Sequence, residues 1–208
     1  MSTEVIVAVI GAAATLGTAV IGVIWSKKRG AKSKSALKPL ELLSSSREAR
    51  AKKEHRFDVF ISAPLAGMET DEKIRADHDR IAPVVALLED KLGFTVFWAG
   101  KSILKTTDFE ASDLSAKNDV ENIENSKYFL LLYPEKLASS VLFESGVALR
   151  ACLTSIYFVR DDAHLPFLMR QASQAFSNVR IYKGQLPNGL STLLEKHGKS
   201  FFESQRSG

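Results

Sequence analysis

The chain has 208 residues, 45% of them apolar and 25% charged, a composition suited to folded structure and too apolar for an extended disordered chain. Its formal net charge of +4 is unevenly placed. Residues 26 to 56 hold 11 Lys and Arg against three Glu, whereas residues 57 to 208 hold 17 against 20 acids, so the folded region is mildly acidic and direct nucleic-acid binding is not expected.

In chain order, the first element is the 21-residue run VIVAVIGAAATLGTAVIGVIW from Val5 to Trp25, uncharged and without a polar face. About 20 such residues at 1.5 Å rise span a ~30 Å hydrocarbon core, so residues 1–26 are expected to form a transmembrane anchor with Trp25 at the interface. The run opens with Ser2, Thr3 and Glu4 rather than a basic n-region and closes with Lys27, Lys28 and Arg29, which argues for a retained anchor over a cleaved signal. Lys and Arg resist translocation, which places the N-terminus outside and the remainder in the cytoplasm, a single-pass protein of the cell (inner) membrane. Small residues at Ala13 and Gly17, and at Thr18 and Gly22, allow either close helix pairing into a homo-oligomer or a plain anchor.

Residues 27–56 are basic and Ser-rich: either a juxtamembrane segment held near anionic lipid or a solvated spacer. Residues 57–208 suffice for one domain with a core of its own. Cys152 is the only cysteine, which excludes an internal disulfide, and lies in an apolar run where a buried small residue is expected. The four histidines are scattered, without zinc-site spacing. Neither a metal nor a resident cofactor is expected.

Within the domain, five apolar or β-branched runs alternate with helical patterns: Phe57 to Ser62, Phe94 to Trp98, Tyr128 to Tyr133, Ser155 to Val159 and Val179 to Tyr182. Helical spacing follows the first run from Asp71 to Leu92, with Pro83 expected to kink or restart the helix. Further helices are expected over Ala116–Asn125, Val141–Leu153, Leu165–Phe176 and Leu190–Phe202. Alternating strands and helices with right-handed crossovers predict an α/β, flavodoxin-like, doubly wound five-stranded parallel sheet. Ligands then belong at the carboxyl ends of strands, on the loops Ala63 to Thr70, Ala99 to Thr107 and Pro134 to Ser140. The first of these carries Ala63, Pro64, Leu65, Ala66 and Gly67, residues that let backbone approach a ligand, but no GxGxxG or P-loop.

One carboxylate stands out. In VLFESGVALRACL nearly every position is apolar or small, yet Glu144 lies in the first turns of the expected helix. It is either a charge favoured by the helix N-terminus or a functional group.

The stretch FISAPLAGM, together with Asp119, Ile123, YFLLLYP and FESGVAL, resembles the nucleoside 2-deoxyribosyltransferases. FDVFIS and the stretch from Tyr128 through SSVLFE are similar to the Toll/interleukin-1 receptor (TIR) domains that cleave NAD. The chain departs from both: Ser139, Ser140, Val141 and Leu142 replace the Asp and Gly that commonly precede the deoxyribosyltransferase glutamate, and the TIR Trp and Cys are absent.

Both families break an N-glycosidic bond, so the resemblance implies Glu144 as catalytic carboxylate and a nucleotide or nucleoside as substrate. Phe143, Trp98 and Tyr133 are expected to shield it. Trp98 either stacks on a base or packs in the core. Ser62, Asp119, Asn122 and Ser140 are candidates for ribose hydroxyls or a base edge. Their plainer roles are a helix-opening turn for Asp119, a solvated Asn122 and a helix N-cap for Ser140. The resulting expectation is a membrane-anchored N-glycosidase acting on NAD or a related nucleotide or nucleoside, with a prokaryotic antiviral effector role implied by the resemblance. The rival readings are a nucleotide-sensing or assembly module without turnover and a structural adaptor.

Overall fold

The computed structural model describes residues 54–65, 68–109, 111–137 and 139–203. The apolar run, nearly all of the basic linker and Gly67 lie outside them. Among the described residues no helix is long and apolar enough to cross a membrane.

Five parallel strands, β1 (Phe57–Ser62), β2 (Val96–Trp98), β3 (Ser126–Tyr133), β4 (Thr154–Val159) and β5 (Val179–Lys183), form one sheet in the order β2-β1-β3-β4-β5. The expected α/β architecture is observed. β3 is central because all but Lys127 of its residues are buried, as a strand covered on both faces requires. Alternate side chains divide between two cores. Val59, Ile61, Leu130, Leu132 and Phe158 face α1 (Asp71–Ala86) and α6 (Asn188–His197). Phe60, Phe129, Leu131 and Tyr157 face α2 (Ser112–Glu124) and α3 (Val141–Arg150).

Several boundaries differ from the sequence reading for identifiable reasons. β2 begins at Val96, not Phe94: the Phe94 amide bonds the Leu88 carbonyl at the helix end, and the Thr95 amide donates to the Asp58 carboxylate at 2.8 Å. Thr70 caps α1, Asp71 and Glu72 fill its first turn, and Pro83 sits inside the helix without ending it; the change comes at Leu87, where a π-helical turn to Lys91 begins. The helix expected over Leu165–Phe176 is two four-residue pieces, α4 (Phe167–Arg170) and α5 (Ala172–Ala175). They part at Gln171, while the Arg170 side chain folds back onto the Leu165 carbonyl at 2.8 Å. α6 gives way to a 3₁₀ turn at Gly198, whose φ of +56° an α-helix cannot accommodate.

α3 ends at Arg150, short of Leu153, and Cys152 is a half-buried turn residue rather than a core one. Its φ is +56°, its amide bonds the Leu149 carbonyl and the Leu153 amide bonds the Ala148 carbonyl, both at 3.0 Å. This is a Schellman ending, with a cysteine where glycine is favoured. A non-glycine residue there costs about 1–2 kcal/mol, partly offset by the greater unfolded-state freedom of glycine. Cys152→Gly is therefore expected to raise the melting temperature by about 2–4 °C in thermal unfolding, and a lower value would sink this account.

Candidate active site

β1 and β3 are adjacent, so the end of β1 lies beside the start of α3. Ser62 closes β1 at 1% exposure and Glu144, 82 residues later, sits one turn into α3 at 6% exposure. The Ser62 hydroxyl donates to Glu144 Oε2 and the Ser140 hydroxyl donates to Oε1, each at 2.6 Å. Burial pushes the Glu144 pKa above its ordinary value, and the Ser140 and Ser62 hydrogen bonds pull it partway back. Ser140 does not cap the helix through its side chain; the Ser139 hydroxyl accepts from the Val141 amide instead, at 3.4 Å.

Glu144 opens onto a cavity of about 250 Å³ at the carboxyl ends of β1 and β2. Phe60, Ile61, Ala63 and Leu65 form one side, Trp98 and Ala99 a second, and Ser112, Ser115, Ala116 and Asp119 of α2 a third, with Ser140 and Phe143 beside Glu144. Two carboxylates and no Lys, Arg or His line it. The Trp98 indole is 5% exposed, its Nε1 has no hydrogen-bond partner, and its ring centroid lies 5.1 Å from that of His78. Gly100 is required by this packing: a Cβ there would stand 2.6 Å from the indole.

A flap after β2 brings Ile103 and Phe109 onto the cavity. The Asp71 carboxylate anchors it, accepting from the Thr106 amide at 2.8 Å and hydroxyl at 3.0 Å, and these bonds hold Asp71 below the usual carboxylate range. Asp108 braces it from within by accepting from the Leu104 and Lys105 amides.

The structure thus brings together Ala63, Trp98, Asp119, Ser140, Phe143 and Glu144 in the lining, with Ser62 beneath. It does not bring in three others. Asn122 is absent from the lining, and its carbonyl accepts from the Ser126 hydroxyl at 2.7 Å. Tyr133 is 2% exposed, its hydroxyl donating to the Leu137 carbonyl and accepting from its amide, so it braces the β3–α3 loop. Pro64 is buried between two lining residues without lining the cavity. Leu65, on the first of the loops that fold class singled out, also lines the cavity; the sequence reading missed Ile103, on the second of those loops, together with Phe109 and the opening residues of α2. Among the described residues no group of His, Cys, Asp or Glu could hold a metal ion.

No protein-family model matches the sequence, and no curated protein does. Among solved structures, the CMP N-glycosidase of Clostridium botulinum aligns with a TM-score of 0.51 at 18% identity, over 67% of this chain and 98% of that one, so the two share a fold.

Proposed function

We propose that this chain is an N-glycosidase that cleaves the bond between a ribose C1′ and a base in a nucleotide or nucleoside, with Glu144 as the catalytic carboxylate. The observation that carries the reading is a carboxylate held at both oxygens, by Ser62 and Ser140, on the wall of an apolar cavity beside an indole. Each oxygen has a further lone pair for substrate. As the C1′–N bond breaks, its electron pair leaves with the base, and positive charge develops at C1′. Glu144 stabilises that charge or bonds to C1′, in surroundings of low dielectric. Water then adds to C1′ and releases a proton, the C1′–O bond to Glu144 breaking where one has formed and its electron pair returning to the carboxylate; a base that departs as an anion takes one proton up, whereas nicotinamide departs neutral. The shared fold with an enzyme named as a CMP N-glycosidase supports the same reading. NAD remains the substrate suggested by the TIR resemblance.

The full chain, incubated with NAD, CMP and a free nucleoside, is expected to release free base measurable by chromatography, and Glu144→Gln is expected to release none. Base release from none of the three would overturn the reading, and tight nucleotide binding without release would favour a sensing module.

On the same reading the Val5–Trp25 run anchors the enzyme, with residues 57–208 on the cytoplasmic side and, through its small residues, in an oligomer. The chain should then stay with membranes through alkaline carbonate washing and need detergent for release. Recovery in the carbonate supernatant would remove the anchor from the proposal.

A further inference from the structure

A second cavity, of about 230 Å³, lies at the carboxyl ends of β3, β4 and β5 and shares no lining residue with the Glu144 cavity. It is polar where the first is apolar. Two arginines from different elements line it: Arg80 from α1, and Arg160 immediately after β4. Arg160 is exposed and makes no ion pair among the described residues. The acids that follow it are engaged elsewhere, Asp161 by the Ala163 amide and Asp162 by Lys183.

Arg80 is positioned from within the fold. Asp77, one turn earlier on α1, is 2% exposed, and its Oδ1 lies 3.5 Å from Arg80 Nη1 while Oδ2 has no hydrogen-bond partner. Burying a carboxylate so incompletely bonded is costly. Burial raises its pKa to about 6 against the opposing pull of Arg80. One long contact at one nitrogen leaves most of the five guanidinium donors of Arg80 for another acceptor. The third wall, Gly184 to Leu186, leads directly into α6, which has no acidic residue in its first turn to offset its dipole. One acid, Glu135, also lines the cavity.

We propose that this cavity binds a phosphate ester, its phosphoryl oxygens held by Arg80 and Arg160 and a hydroxyl of its alcohol portion donating to Glu135. Paired planar guanidiniums match phosphoryl oxygens with two parallel N–H bonds each.

The test is calorimetric titration of the full chain with ribose 5-phosphate and with inorganic phosphate, at constant ionic strength with chloride as the control. Saturable binding is expected, with the Kd rising at least about tenfold in Arg160→Gln. Arg160 is exposed, so that variant should fold; because Arg80→Gln strands Asp77, the double variant Asp77→Asn, Arg80→Gln is the second probe and should weaken binding as much. Absence of saturation up to about 10 mM, the weak end of specific affinity, would overturn the proposal. So would unchanged affinity in Arg160→Gln, which would put the anion elsewhere on the chain.

Discussion

Glu144→Gln is expected to lower turnover at least about a thousandfold and, at the same time, to unfold at a higher temperature than the parent at neutral pH. Both effects come from one environment. Burial disfavours the ionised carboxyl, so the folded state holds the Glu144 proton more tightly than the unfolded chain does. The resulting stability is fully present below the unfolded pKa, near the ordinary glutamate value of 4.5, and is lost as pH rises through the higher folded value. Gln is neutral at every pH and nearly isosteric, so it keeps what the ionised parent has lost. The difference in melting temperature should therefore widen from pH 4 to pH 8. A variant no more stable than the parent at pH 8 would show that the two serine hydrogen bonds outweigh desolvation. In turnover the sign reverses, because chemistry needs the carboxylate: activity falls as pH drops through the Glu144 pKa. Ser62→Ala removes one donor to the ionised form and should move that acid limb upward, a shift that loss of packing alone would not produce.

Trp98→Ala is expected to have the next largest effect, because the side chain is both core and cavity wall. It is 5% exposed and packs with the cluster of Val59, Ile61, Ile81 and Leu88. Truncating a buried aromatic to alanine costs about 3–5 kcal/mol, which for a domain of this size lowers the melting temperature by roughly 10 °C. Loss of the indole also removes a face on which a base can stack, and KM for base release should rise about tenfold or more. Trp98→Phe separates the two roles. It keeps an aromatic face, and the lost Nε1 had no hydrogen-bond partner, so stability and KM should both lie much nearer the parent. An alanine variant that is destabilised but has an unchanged KM would make Trp98 a core residue only.

Much of the fold could be read locally. Phe57 to Ser62 is the first strand at both ends, because its composition and the breaks around it are local signals. The uniformly apolar Tyr128 to Tyr133 announced a central parallel strand, and the observed strand only adds Ser126 and Lys127. Where the reading failed, the cause was a contact with distant sequence or a backbone angle composition does not reveal. Asp58 takes up the Thr95 amide and delays β2. Cys152 closes α3 in a conformation usually left to glycine. Apolar Phe167 and Leu168, 73% and 81% exposed, made a continuous helix look covered.

The amino-acid sequence by itself determined the alternation of strands and helices that builds a parallel sheet, and the anomaly of Glu144 in an apolar helix, since periodicity and burial cost act over a few neighbouring residues. Only the tertiary structure decided what surrounds that glutamate. Ser62 and Ser140, read as substrate contacts or a cap, meet on its two oxygens because parallel pairing of β1 with β3 sets the end of one strand beside the helix that follows the other. Arg80 and Arg160 likewise share a cavity only once the sheet has brought α1 and the end of β4 together, a distance in sequence that no local pattern spans.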